Sequence, residues 1–386
     1  MRSSIISVGV NDRQIDLFEG QYKVPSGMSY NSYAIIDEKI AIMDSVDKGF
    51  GEEWIDNIRR ALGDRDPDYL VVLHMEPDHS ANIMRFADEF PSAKIVSSAK
   101  AFSMMKNFFG RDFAADGVTV SEGDELPLGE HTLRFILAPM VHWPEVILAY
   151  ETREKVLFSA DAFGKFGALD ADEGWDDEAR RYYIGIVGKY GAQVTAVLKK
   201  AAALDISAIY PLHGPILSEN LSHYLGLYSK WASYTPEEEG TVIAYTSVYG
   251  NTRAAAMLLS EELAKRSSEP VSVFDLARCD MAEAVASAFR YSKLVLATTT
   301  YNADVFPFMR EFISHLTERG FKRRKVAFIE NGSWAPMAEK IMRARLSECK
   351  ELDFAENSVK ILSALDERAI SEIKALAEEL TPLQDK

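Results

Sequence analysis

The chain has 386 residues, of which 47% are hydrophobic and 26% charged, and a formal charge of −16. That length favours two domains over one, and the acidic balance argues against a nucleic-acid partner. Two cysteines, Cys279 and Cys349, are too few for a disulfide framework, a four-cysteine zinc site or an iron–sulfur cluster, so any metal must be held by His and carboxylates.

No apolar run approaches the roughly 20 residues of a membrane span, and the N-terminus lacks the apolar core of a signal peptide. A cytoplasmic protein without a membrane partner is the expectation. In chain order, strands are expected at 32–36 and 39–43, with Asp37-Glu38 as the turn between them. Further strands are expected at 69–73, 94–98, 131–138, 146–150, 155–159 and 206–210. Helical periodicity runs over 52–62, 80–89, 99–109 and 177–203. This mixture predicts a layered αβ fold. Residues 231–240 combine Pro, Gly and a short acidic run after a helical pattern, which places a domain boundary there and divides the chain into 1–238 and 239–386. Beyond it, strands at 241–245, 271–274, 294–298, 326–329 and 359–362 alternate with helical patterns, the last over 366–379. That rhythm predicts a doubly wound, parallel five-stranded sheet.

The densest chemistry is His74-Met-Glu76-Pro-Asp78-His79, four potential metal ligands within six residues, just past an expected strand. His142 (opening His142-Trp143-Pro144), Asp161 and His213 also follow expected strand ends, where αβ folds build sites. The seven side chains, four His and three carboxylates, suit two metal ions. Asp161 is the natural bridge, because one carboxylate has two oxygens. Glu76 makes the set harder and leans toward iron without excluding zinc. His79 either binds metal or stands behind a ligand. His131, His223 and His315 read as structural or solvated.

A second constellation begins after the strand at 241–245. Thr246, Ser247, Val248, Tyr249, Gly250, Asn251 and Thr252 form a hydroxyl-rich loop leading into a helix, an anion cradle of backbone N–H groups backed by the helix dipole. The Lys of a nucleotide-triphosphate loop and the G-x-G-x-x-G fingerprint are both missing, which disfavours a triphosphatase and a dinucleotide site. Two more loops follow later strands: Thr298, Thr299, Thr300, Tyr301 and Asn302, then Glu330, Asn331, Gly332, Ser333 and Trp334. In a 2-1-3-4-5 sheet the three loops converge at the switch point. Tyr301 and Trp334 could sandwich a flat ring, and a single-phosphate flavin fits best.

Together the two halves resemble the flavodiiron proteins, also called A-type flavoproteins. H-x-E-x-D-H followed by His142-Trp143-Pro144, Asp161 and His213 matches that family's ligand set in order. The resemblance implies an N-terminal αββα metallo-β-lactamase-like sandwich holding two irons, and a flavodoxin-like domain holding FMN. It implies one iron on His74, Glu76 and His142, the other on Asp78, His79 and His213, with Asp161 bridging. It also implies reduction of O2 to water, of NO to N2O, or both. A head-to-tail homodimer or a dimer of dimers is expected, fed by an external donor: rubredoxin, a reduced deazaflavin or a flavin reductase. The loop at 330–336 departs from the family's Ser-Tyr-Gly-rich pattern. Some members place a His near the irons from the N-terminal region, and no His precedes His74 here. Tyr22 is the candidate in its place, to hydrogen-bond the gas or supply a proton, with strand packing as its other reading. Two alternatives stay open: a binuclear zinc hydrolase fused to a flavodoxin, and an electron-transfer flavoprotein with a vestigial metal site.

Overall fold

A computed structural model describes residues 4–382 of the chain. Two compact units divide between Ser229 and Lys230, inside the helix Leu221–Ser233 and upstream of the boundary expected from composition.

The first unit contains two larger sheets, each with its strands side by side in chain order. One has six strands: Ile5–Ser7, Tyr33–Ile36, Ile40–Met43, Tyr69–Val71, Lys94–Ser98 and Val118–Val120. The other has five: Glu125–Pro127, Thr132–Leu137, Ile147–Glu151, Val156–Phe158 and Ala208–Tyr210. Their inner faces meet through aromatic contacts, Tyr33 lying 5.7 Å from Phe158 and 4.9 Å from Tyr210 between ring centroids. Helices cover the outer faces. Gly51–Leu62 buries Trp54, Ile55, Ile58 and Leu62 along one side, the spacing of an amphipathic helix, and Trp54 donates its indole N–H to Ser32 Oγ at 3.0 Å. With both faces covered, Ile40–Met43 is buried at every position, so its sequence is uniformly apolar and does not alternate.

Three features depart from the sequence reading. Short strands at Ile5–Ser7, Val10–Asp12, Leu17–Phe18, Tyr22–Lys23 and Met28–Tyr30 carry too few residues for a visible period. Val118–Val120 and Glu125–Pro127 escape notice for the same reason. The helix expected over 177–203 is broken: Trp175–Tyr182 is α-helical, Tyr183–Val187 widens into a π-turn, Gly188–Tyr190 is 3-10, and the α-helix resumes at Gly191–Ala201. Gly185, Gly188 and Gly191 recur at every third position, and each costs the helix about 1 kcal/mol relative to Ala.

The second unit is a parallel sheet ordered Val271–Asp275, Glu238–Tyr245, Tyr291–Tyr301, Lys325–Asn331, with its far edge made by two short strands, Asp353–Phe354 and Val359–Ile361. This is the 2-1-3-4-5 order, its fifth strand split in two. The helices Asn251–Arg266 and Glu367–Leu380 bury Ala255, Leu259, Leu263, Ile373 and Leu376 against Ile243, Val295 and Ile329. Asp366 caps the last helix, accepting from the Ala369 N–H at 2.8 Å.

Glu379 ties that helix to the sheet edge. Its carboxylate accepts from the backbone N–H groups of Glu356 and Asn357 at 2.9 and 2.8 Å and pairs with Lys325 at 3.0 Å. Burial raises its pKa, but these bonds outweigh it and lower the group from an ordinary 4.5 to about 2. A depressed carboxyl pKa stabilises the fold above the unfolded value, and that contribution is lost as pH falls toward the folded value. Glu379→Gln should therefore lower the thermal midpoint near neutral pH. The gap between variant and wild type should close between about pH 4.5 and 2, as followed by circular dichroism.

Candidate metal centre and flavin site

Every expected metal ligand is carried by a loop or short turn beyond a strand. His74 follows Tyr69–Val71; Glu76 is the N-cap of the single turn Pro77–Ser80, which carries Asp78 and His79. His142 follows Thr132–Leu137, Asp161 follows Val156–Phe158, and His213 follows Ala208–Tyr210. The fold gathers all seven into two adjoining groups, His74, Glu76, His142 and Asp161 in one, and Asp78, His79 and His213 in the other.

Distances within the groups suit metal binding. His142 Nε2 lies 3.1 Å from both Glu76 Oε2 and Asp161 Oδ2, and His74 Nε2 lies 3.3 and 3.4 Å from the same atoms. In the second group, Asp78 Oδ2 is 3.3 Å from both His79 Nε2 and His213 Nε2. Ligands bonded to a common ion at about 2.0–2.2 Å stand roughly 2.8–3.6 Å apart along octahedral or tetrahedral edges. Asp161 faces the first group with Oδ2 and the second with Oδ1, which is 3.2 Å from His79 Nε2. One carboxylate therefore presents one oxygen to each side.

The donor atoms themselves point to a cation. His74 Nε2, both oxygens of Asp78 and Asp161 Oδ1 are buried without a hydrogen-bond partner, which costs about 1–3 kcal/mol or more per group if nothing else binds them. His79 Nε2 and His213 Nε2 face each other at 3.0 Å; two lone pairs this close need a proton or a metal between them. Burial lowers the pKa of His142, but hydrogen bonds with Asp161 and Glu76 outweigh it and raise the group to about 9. His74 is pushed well above the ordinary imidazole range by Asp161, Glu145 and Glu76 against the same burial. The pocket thus attracts positive charge strongly, and the residues present fit two metal ions.

In the second unit, Gly250 takes a left-handed conformation (φ 95°) immediately before the helix Asn251–Arg266. The cavity there is about 110 Å³ and is lined by residues of the three expected loops, among them Ser247, Asn251, Thr252, Thr299, Asn331 and Ser333. Val248, Tyr249 and Gly332 also line it. Thr246 is buried with its hydroxyl 2.6 Å from that of Thr298, and Thr300 accepts from the N–H groups of Met337 and Ala338 at 2.9 and 3.2 Å. Both threonines brace the loops and do not line the cavity. Tyr301 packs edge-on against Phe306, while Asn302 (φ 49°) turns the chain. Trp334 and Tyr249 are 83% and 94% exposed, so neither ring is held by packing. An open cleft with hydroxyls at a helix N-terminus fits a flavin phosphate.

Residues 28–214 match the profile described as ODP family beta lactamase. An uncharacterised protein of Methanocaldococcus jannaschii is 30% identical over 349 residues, covering 88% of this chain and 87% of that one. The anaerobic nitric oxide reductase flavorubredoxin of Escherichia coli is 28% identical over 361 residues, 90% of this chain and 75% of the relative. Among solved structures, the rubredoxin oxygen:oxidoreductase of Desulfovibrio gigas superposes with a TM-score of 0.90 at 23% identity, over 98% and 96% of the two chains. The flavodiiron protein of Giardia intestinalis gives 0.91 at 24%, over 98% and 94%. The chain belongs to the flavodiiron protein family.

In this flavodiiron protein the surroundings of Tyr22 are defined, and Tyr182, Glu19 and Ser363 stand near the candidate sites without a signal in the sequence that singles them out. The Tyr22 hydroxyl donates to the Gly185 carbonyl at 2.8 Å and its ring lies 5.6 Å from Phe166, so its packing reading describes it better. Tyr182, at the end of the interrupted helix, has a buried hydroxyl without a hydrogen-bond partner. Its ring centroid is 5.5 Å from that of His213. Burial, then Asp161, Glu76 and Asp78, push its pKa well above the ordinary phenol. No local pattern marks it, because its contact with His213 joins segments far apart in the chain. Glu19 lies against Glu76 and is raised from 4.5 to about 7 by burial and that neighbour. Ser363 lines the same cavity as Ser247 and Thr252, beyond Val359–Ile361, a strand end where the switch-point rule could have found it. Among the described residues no helix is long and apolar enough to cross a membrane.

Proposed function

We propose that the chain is an oxidoreductase that passes electrons from FMN to a diiron centre reducing O2 to water, NO to N2O, or both. The reading rests above all on Asp161, whose two oxygens face two separate ligand groups with orphaned donor atoms. His74, Glu76 and His142 would hold one iron, Asp78, His79 and His213 the other, and Asp161 both. The loop from Ser247 to Thr252, with Thr299, Asn331 and Ser333, would hold the FMN phosphate and chain, and Trp334 or Tyr301 would cover its ring. When bound, two ferrous ions and a reduced flavin together supply four electrons, enough to take O2 to two waters, while two suffice to couple two NO into N2O.

The protein's own contribution is placement and protection. The seven ligand side chains hang on short segments after rigid strands, which holds them in place before metal arrives. The Tyr182 hydroxyl, buried and unpartnered beside the cluster, would donate a hydrogen bond to whatever occupies the space facing it, and its raised pKa keeps it protonated at neutral pH. The walls formed by Phe18, Phe166 and Tyr182 around His213 exclude water. Residues 1–238 would serve as the diiron domain and 239–386 as the flavin domain. The family resemblance supports a head-to-tail homodimer and a rubredoxin, deazaflavin or flavin-reductase donor.

The purified chain should carry FMN and about two irons, the stoichiometry of a two-metal site. After anaerobic reduction it should consume O2 or NO, and parallel electrode assays would rank the two gases. Zinc in place of iron, with ester hydrolysis and no gas consumption, would instead establish the hydrolase alternative.

A further inference from the structure

The two ligand groups differ in what stands behind their imidazoles. His74 Nδ1 lies 2.8 Å from Glu145 Oε1, and both side chains are fully buried. The same oxygen accepts from the Met75 N–H at 2.8 Å. In the second group, His213 Nδ1 donates to the Ser29 carbonyl at 2.7 Å, and His79 Nδ1 has no hydrogen-bond partner. Asp44, the other buried carboxyl nearby, bonds the backbone N–H groups of Leu73 and His74 and reaches no imidazole. Glu145 is held firmly: Ser98 Oγ donates to its carbonyl at 2.9 Å while capping the helix Ala99–Phe109.

We infer that Glu145 is a positioning residue that makes the two metals unequal, strengthening and electronically enriching the one bound through His74. A carboxylate accepting from Nδ1 fixes the tautomer that leaves Nε2 free for metal, and raises the basicity of the ring. A neutral carbonyl fixes the same tautomer on His213 but adds no full charge. A more basic ligand stabilises the ferric state. The iron on His74, Glu76 and His142 is therefore the harder to reduce, and in the one-electron-reduced centre the ferrous ion sits on the side of His79 and His213. The inference rests on the diiron reading.

The test is Glu145→Gln, which keeps the shape and removes the charge, measured in holoprotein by iron titration and by redox titration followed with electron paramagnetic resonance. Wild-type protein should bind about two irons and show two separated reduction steps; failure to bind them would sink the diiron reading itself. In the variant, one iron should bind roughly 10–100-fold more weakly while the other keeps its affinity. The lower-potential step should move up toward the other, reducing the yield of the half-reduced signal. Glu145→Asp, which keeps the charge, should restore the separation. Ser98→Ala, which loosens the same loop and costs the helix its cap, should lower thermal stability and leave the separation unchanged. Wild-type spacing in a fully loaded Glu145→Gln protein, equal weakening of both irons, or a matching change in Ser98→Ala would each overturn the inference.

Discussion

Asp161→Asn should abolish gas reduction, with the rate falling more than about 100-fold, beyond the usual loss for residues that only support a ligand. The reason lies in the two oxygens of Asp161, one turned to each ligand group. An amide keeps one oxygen and replaces the other with a nitrogen whose lone pair is delocalised, so one group loses its shared donor. The substitution also removes a full negative charge from a buried pocket that holds four imidazoles, and each bound cation is left less compensated. Iron measured by metal analysis should fall below the wild-type content, while FMN measured by absorbance stays unchanged because its loops belong to a separate compact unit. Full iron occupancy with near-normal turnover would show that Asp161 does not join the two metals.

The second large effect is expected in the flavin site. Ser247→Ala combined with Thr252→Val removes two hydroxyls from the cavity at the N-terminus of Asn251–Arg266. A hydrogen bond to a charged group contributes about 1.5–3 kcal/mol, so the pair should cost FMN affinity roughly 10²–10⁴-fold. Titration of apoprotein with FMN, read by quenching of flavin fluorescence, measures this. Riboflavin supplies the control, since it lacks the phosphate: wild type should prefer FMN strongly, and the double variant should lose most of that preference while binding riboflavin about as before. Equal losses for both ligands would mean that the hydroxyls shape the loop without touching a phosphate. Ser247 Oγ accepts from the Gly250 N–H at 3.1 Å, so that outcome has a physical route.

The contrast between local and distant information explains which features could be read from the chain. His74, Glu76, Asp78 and His79 share one six-residue stretch, and the other three candidate ligands each follow an apolar run, so their grouping follows once strand ends are known to share one side of a fold. Gly250, the hydroxyls of the phosphate loop and the five-strand rhythm were equally local signals. Glu145 had a weak one, two residues after Trp143 on the same loop as a ligand, but its hydrogen bond to His74 spans 71 positions. Thr300 looked like a cavity hydroxyl and proved to brace the start of Ala338–Arg345, a partner that no spacing could name.

Residue types and their order along the chain determined the candidate ligand set and its carboxylate-rich character, the candidate phosphate loop and both fold classes, because each depends on neighbours in sequence or on the period of a single element. Tertiary structure alone decided which oxygen of Asp161 faces which group, that Tyr182 brings a buried, unpartnered hydroxyl and packs against His213, and that His74 is backed by a carboxylate where His213 has only a carbonyl. These are contacts between segments far apart in the chain. Their geometry is set by how the two sheets and the interrupted helix pack, and packing is a property of the whole unit.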